Sequence, residues 1–152
     1  MKRCDGLAPL SREHHAALVL AKRLAAAQRA PALGEGLADA VTDTFARELE
    51  PHFRTEEAAL LPLLMEAGET ELVARTLREH DELRELVRRI RAGDADALWP
   101  FGAKLDAHVR FEERKLFPVA EAVLSPEALA GVADWCRQQS AVADAPRLPS
   151  LQ

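Results

Sequence analysis

The chain reads as an all-α protein, an antiparallel up-down-up-down four-helix bundle with a short additional C-terminal helix, and three observations predict this. The first is composition. Of the 152 residues 48% are apolar, dominated by Ala and Leu, with charged residues interspersed and few β-branched runs, a mixture that favours helix over strand. The second is a repeat: His52-Phe-Arg-Thr-Glu56-Glu57-Ala-Ala-Leu60-Leu-Pro62 and His108-Val-Arg-Phe-Glu112-Glu113-Arg-Lys-Leu116-Phe-Pro118 both align as H-x-R-x-E-E-x-x-L-x-P. In a helix the His and the first Glu of each copy project from one face, one turn apart. The third is the position of the turns. Antiparallel helices that each bring one His to a common height must turn midway between consecutive histidines. The midpoints of His14, His52, His80 and His108 are Leu33, Glu66 and Asp94, which fall beside Gly34, Gly68 and Gly93, and glycine terminates helices.

The elements follow in order. A first helix over about 10–30 has Ser11 as its candidate N-cap and a stripe of Leu10, His14, Ala17, Leu18, Ala21, Leu24 and Ala25. His15 falls off this stripe and points toward the rim or solvent. A second helix, about 37–66, carries Val41, Phe45, Leu49, His52, Glu56, Ala59, Leu60 and Leu63. A third, about 70–91, carries Val73, Leu77, His80, Leu83, Val87 and Ile90. A fourth, about 97–124, carries Leu105, His108, Glu112, Leu116, Val119 and Val123. In each of the four, histidines or glutamates replace core residues. Ser125-Pro126-Glu127 then reads as N-cap, first-turn proline and dipole-favourable acid, opening a short helix to about 139 whose Leu129, Val132 and Trp135 cover one end or groove of the bundle. The expected division is an N-terminal segment 1–9, the bundle 10–140 and a flexible, proline-rich tail 141–152.

Three prolines stand against regular helices. Pro51, Pro62 and Pro118 lie inside predicted helices, where a proline removes a backbone bond at a cost of about 3 kcal/mol and kinks or ends the helix. A kink at Pro51 is expected to aim His52. Pro62 and Pro118 are expected to end or bend their helices just beyond the site.

Burying imidazoles and carboxylates among Leu, Val and Ala is costly unless charge compensates. Two Glu and four His converge here with no Lys or Arg on the same stripes, and a pair of metal cations would supply the missing charge. The predicted ligands are therefore His14, His52, Glu56, His80, His108 and Glu112. Mixed imidazole and carboxylate donors suit iron, manganese, zinc or copper, and the absence of thiolates disfavours a structural zinc site. With both glutamates bridging, each metal receives two His nitrogens and two carboxylate oxygens, which leaves room for a bridging oxygen and an open position. Arg54 and Arg110, at matching places in the repeat, are read as solvated or bonded to bundle carboxylates.

The pattern resembles the hemerythrin-like family of HHE cation-binding domains, in its variant with ligand order H, H-x-x-x-E, H, H-x-x-x-E. The resemblance covers roughly residues 10–123. It implies a four-helix bundle holding two iron ions as a non-haem di-iron centre with oxo or hydroxo and carboxylate bridges, manganese or zinc being alternatives. By motif, the ligands again fall on His14, His52, Glu56, His80, His108 and Glu112. Oxygen-carrying hemerythrins have a further His one turn after the third ligand, where this chain has Arg84, and place the last carboxylate five residues after its His, which is Glu113 here; the internal repeat pairs Glu112 with Glu56, and the resemblance leaves Glu57 and Glu113 as substitutes or supplements. The departure at Arg84 points away from reversible oxygen carriage.

The first functional reading is a di-iron protein that binds or senses dioxygen or a related small oxidant. The second is an enzyme, an oxidase, peroxidase or consumer of peroxide or nitric oxide. The third is an iron-storage or structural metal bundle. No His has a Glu three residues before it, unlike the ferritin-like oxidases. There is no Tyr for radical chemistry, and no H-E-x-x-H or nucleophile, base and oxyanion set is visible. With a net charge of −5 and dispersed basic residues, nucleic acid is not an expected partner. No apolar run approaches the roughly 18 residues of a membrane span, so the expectation is a soluble, cytoplasmic protein. Cys4 and Cys136 form no C-x-x-C pattern and read as free thiols. With no output domain in view, sensing would act through a separate protein partner or homo-oligomerisation.

Overall fold

The computed structural model describes residues 2–144; the part of the expected tail at 145–152 lies outside the described residues. Five helices account for the fold: α1 Ala8–Arg29, α2 over 37–66, α3 Thr70–Arg91, α4 over 98–123 and α5 Pro126–Asp144. The first four form the bundle, with α1 packed against α2 and α4, and α3 packed against α2 and α4. The close approach of α1 and α4 needs Gly102, where a Cβ would lie 3.0 Å from Leu24 Cβ. The fifth helix lies across α1 and the second half of α2, and runs past the expected end at Gln139.

The connections fall where the histidine midpoints place them. Pro31–Gly34 forms a short 3₁₀ turn between α1 and α2. The next two connections use one device: Gly68 and Gly93 adopt left-handed φ angles of 89° and 95°. Behind Gly68, the Glu69 N–H donates to Leu64 O and the Gly68 N–H to Met65 O; behind Gly93, the Asp94 N–H donates to Arg89 O and the Gly93 N–H to Ile90 O. These paired bonds satisfy the last carbonyls of α2 and α3. Ser125 Oγ accepts from the Ala128 N–H and caps α5 as predicted. Ser11 does not cap α1, which begins three residues earlier with Pro9 in its first turn; the hydroxyl serves elsewhere.

All three helix-interior prolines sit in helices that continue through them, to Glu66 for α2 and to Val123 for α4. The expected disturbance takes the form of a widened turn rather than an end. Phe45–Leu49, Glu56–Leu60 and Glu112–Leu116 are π turns, each finishing two residues before Pro51, Pro62 or Pro118. In each, the residue before the proline donates across five residues: Glu50 to Phe45 O, Leu61 to Glu56 O, Phe117 to Glu112 O. Widening the turn accommodates the carbonyl that a proline ring would meet in an α-helix.

A π turn holds one extra residue, so the buried face advances by one position beyond it. In α4, Phe117 and Ala120 are buried, Val119 is half-buried and Val123 is 44% exposed. In α2, Leu64 is buried and Leu63 is not. In α3, which has no π turn, Thr76 takes the inward place expected of Leu77 by donating its hydroxyl to Leu72 O, and Leu77 is exposed. The core is divided in two: one cluster joins Leu20, Phe45, Phe53, Leu83 and Leu105 with their neighbours, the other joins Leu10, Leu60, Leu116, Phe117, Leu129 and Val132. A polar layer lies between them. No helix among the described residues is long and apolar enough to cross a membrane.

Two glycines test this account. Gly68→Ala forces an L side chain into a left-handed turn and is expected to cost about 1 kcal/mol. Gly131, inside α5 with nothing near its would-be Cβ, is expected to gain up to about 1 kcal/mol on Gly131→Ala. Denaturant melts of both variants measure the opposite signs.

Candidate metal centre

The polar layer contains all six predicted residues. His14 stands on α1, His52 and Glu56 on α2, His80 on α3, and His108 and Glu112 on α4, each at most 4% exposed. Every imidazole turns Nε2 inward. His14 Nε2 lies 2.8 Å from Glu112 Oε1, and His52 Nε2 lies 3.2 Å from Glu56 Oε1 and 3.5 Å from Glu112 Oε1. His80 Nε2 is 3.3 Å from Glu56 Oε1, and His108 Nε2 is 3.3 Å from Glu112 Oε2. The rings pair as His14 with His52 and His80 with His108, centroids 4.9 and 5.0 Å apart. The two carboxylates lie between the pairs.

Every outward nitrogen meets a second carboxylate. His14 Nδ1 bonds Glu113 at 2.8 Å, His52 Nδ1 bonds Glu13 at 3.1 Å, His80 Nδ1 bonds Glu57 at 2.6 Å and His108 Nδ1 bonds Glu79 at 2.8 Å. The pattern closes on itself. The glutamate of α1 holds the histidine of α2, that of α2 holds α3, that of α3 holds α4, and that of α4 holds α1. Helix geometry explains the ring. Each of these glutamates is chain neighbour to an inward residue, and a step of one residue rotates a side chain by about 100°, toward the adjacent helix. The neighbour precedes its inward residue on α1 and α3 (Glu13, Glu79) and follows it on α2 and α4 (Glu57, Glu113). Antiparallel helices reverse the sense of that step, so all four carboxylates turn the same way around the bundle.

Glu57 and Glu113 therefore face away from the centre and meet the Nδ1 atoms of His80 and His14. Most of the ring is anchored further out. Arg84 bridges Glu57 and Glu50, Arg75 donates to Glu79 while lying 3.9 Å from the Phe111 ring centroid, and Arg3 and Ser11 donate to Glu113. The sequence reading missed Glu13, Glu79, Arg3 and Arg75. The signal was present in the Glu-His doublets at 13–14 and 79–80 and the Glu-Glu doublets at 56–57 and 112–113, alternating in order along the chain.

The electrostatics are strongly coupled. Burial alone would lower the imidazole pKa values, but carboxylates at both ring nitrogens prevail: His14 and His80 are raised, His52 is well above its usual value, and His108 is lifted to about 10. Burial would raise Glu57 and Glu113, but the bonds from His80 and Arg84, and from His14, Ser11 and Arg3, hold each at about 2. Burial would raise Glu112 too, but the charge of His108 and the hydrogen bonds with Glu56, His108 and His14 together hold it well below the carboxylate range.

The residues fit a metal on a further count. His52 Nε2, His80 Nε2, His108 Nε2, both oxygens of Glu56 and Glu112 Oε2 are buried without a hydrogen-bond partner. Buried polar atoms are rarely left so, and all of these are donors a cation accepts. Glu56, His80, His108 and Glu112 offer ligand atoms within 4.8 Å of one another, and His14, His52 and Glu112 form a second such group. In the neutral rings, the Nδ1 bonds fix the tautomer that presents a lone pair at Nε2. His15 is exposed, as expected, and Arg54 and Arg110 pair with Glu50 and Asp106 on the surface. Cys4 and Cys136 are free.

The sequence pattern of one protein family, described as the hemerythrin HHE cation binding domain, matches residues 5–120. No curated protein and no solved structure matches the chain.

The titration has a direct consequence for the metal-free protein. His108, raised from 6.5 to about 10, contributes stability that is complete below pH 6.5 and lost as pH rises toward 10. Glu57 and Glu113, lowered from 4.5 to about 2, contribute above pH 4.5 and lose it as pH falls through 2. The Tm of the metal-free chain is expected to be highest between these limits and to fall between pH 6.5 and 10. With metal bound the imidazoles are already neutral, so the Tm should stay level over that alkaline interval. Calorimetry of both forms across the range checks the difference.

Proposed function

Because the chain belongs to the hemerythrin HHE cation-binding domain family, we propose that it is a non-haem di-iron protein whose centre binds or senses dioxygen or a related small oxidant. The observation that carries the reading is the convergence of four Nε2 atoms on two buried carboxylates, with six of these eight nitrogen and oxygen atoms lacking a hydrogen-bond partner. His14 and His52 would hold one cation and His80 and His108 the other, with Glu56 and Glu112, which lie between the two pairs, supplying carboxylate oxygens. Imidazole and carboxylate donors without thiolate suit iron or manganese better than structural zinc. Iron so held supplies redox chemistry and an exchangeable coordination position.

The chain's own residues define what reaches that position. Phe53 stacks on His80 at 4.0 Å and Phe117 on His14 at 5.4 Å, and apolar clusters close the layer on both sides. Bulk water is kept out and the imidazoles are held rigid. With all six residues so deeply buried, a diatomic-sized ligand fits the centre better than an organic substrate, which favours binding or sensing over oxidation of a large molecule. The glutamate ring ties each helix to the next, so a shift of one imidazole would be passed on to the neighbouring helix, where a partner protein or a second copy of the chain would read it.

Protein purified from iron-replete cells is expected to hold two irons per chain. After reduction and exposure to air it should show a stable new optical spectrum that reverts when oxygen is removed. Continuous consumption of oxygen or peroxide with a reductant would instead establish an enzyme, and a spectrally silent zinc protein a structural bundle. Glu56→Ala should reduce metal retention to one ion or none. A variant that still keeps two ions at full affinity removes Glu56 from the bridge.

A further inference from the structure

The two halves of the centre are not equally built. On the His80 and His108 side four ligand residues converge, whereas the His14 and His52 side brings together three. The support differs in the same direction. Glu57 behind His80 is fixed by Arg84 from two nitrogens, and Glu79 behind His108 is fixed by Arg75. On the other side, Glu113 behind His14 is fixed by Arg3 and Ser11. Glu13 behind His52 has no Lys or Arg within ion-pair distance among the described residues. Its bond to Nδ1, at 3.1 Å, is the longest of the four, and its side chain, 37% exposed, is the most open of the ring.

Glu13 also lines a groove. A cavity of about 640 Å³ opens over it, bounded by Pro51, Thr55 and Ala58 of α2 and by Trp135 and Cys136 of α5. The helix that forms its outer wall lies beyond the matched family region, which ends at residue 120. His52 is thus the one imidazole whose outer support is both unanchored and beside solvent.

We infer that the two metal positions fill in sequence: a first divalent transition cation at His80 and His108 with Glu56 and Glu112, then a second, exchangeable one at His14 and His52, reached through the groove beside Glu13. The inference rests on the dinuclear reading above. A ligand held by an anchored carboxylate is already oriented when the cation arrives. One whose carboxylate is free to move must be ordered on binding, which lowers affinity and speeds release.

The test uses the full chain, stripped with a chelator and titrated with Mn(II), followed by electron paramagnetic resonance and competition with a chromophoric chelator. At one equivalent the expected spectrum is the six-line signal of an isolated ion. At two equivalents it should give way to an exchange-coupled signal, with dissociation constants differing by at least about tenfold. His52→Ala should abolish the second step and keep the first, and His80→Ala should abolish the tight step. Glu13→Gln, a near-isosteric change at a half-open position, should weaken only the second step, by about 10–100-fold, and Glu57→Gln only the first by a similar factor. The Gln variants keep the test decisive if an Ala variant fails to fold. Equal affinities, a coupled signal from the first addition onward, or loss of the same step in Glu13→Gln and Glu57→Gln would overturn sequential filling alone. Uptake of one ion or none by the unsubstituted chain would overturn the dinuclear reading and the sequence with it.

Discussion

Burial of charge is the constraint on which the structure depends. Four imidazoles and two carboxylates occupy a layer that in an ordinary bundle would be Leu and Val, and neither group tolerates an apolar surround without a counter-charge. The solution is concentric. Inward nitrogens face Glu56 and Glu112, outward nitrogens face Glu13, Glu57, Glu79 and Glu113, and Arg3, Arg75 and Arg84 close three of the four outer positions. The apolar clusters above and below pack against a disc that is internally compensated, and that is why the core can be divided without being lost.

The wide turns follow from the same economy. Two of the three π turns start on a central glutamate, at Glu56 and at Glu112, and each is followed by a proline. The extra residue sets which face of α2 and α4 is buried beyond the site. One local irregularity, repeated at the same place in both copies of the motif, positions a carboxylate and re-phases the helix behind it.

Much of this was legible in the sequence. The midpoint rule located all three connections, since the height at which histidines meet and the lengths of antiparallel helices are the same quantity. The inward residues were legible because they interrupt apolar stripes. What escaped was whatever depends on phase. A stripe drawn at constant period put Val119 and Leu63 inside, and the π turns moved Ala120 and Leu64 there instead. Ser11 had the sequence context of a cap, but α1 starts earlier and the hydroxyl fastens Glu113. Glu113, and Glu57 with it, stayed open as ligands because oxygen-carrying hemerythrins place the last carboxylate five residues after its His; a one-residue step on a helix turns these side chains toward the neighbouring helix. Thr76 displaced Leu77 through a hydroxyl bond that no hydrophobic pattern reports.

The compensated disc has one more implication. Four protonated imidazoles carry the same total charge as two divalent ions, so exchanging one set for the other leaves the interior electrically unchanged. A small zinc module collapses when its ion is withdrawn; in this bundle the carboxylates that raise the four imidazoles favour protons in the place of the cations.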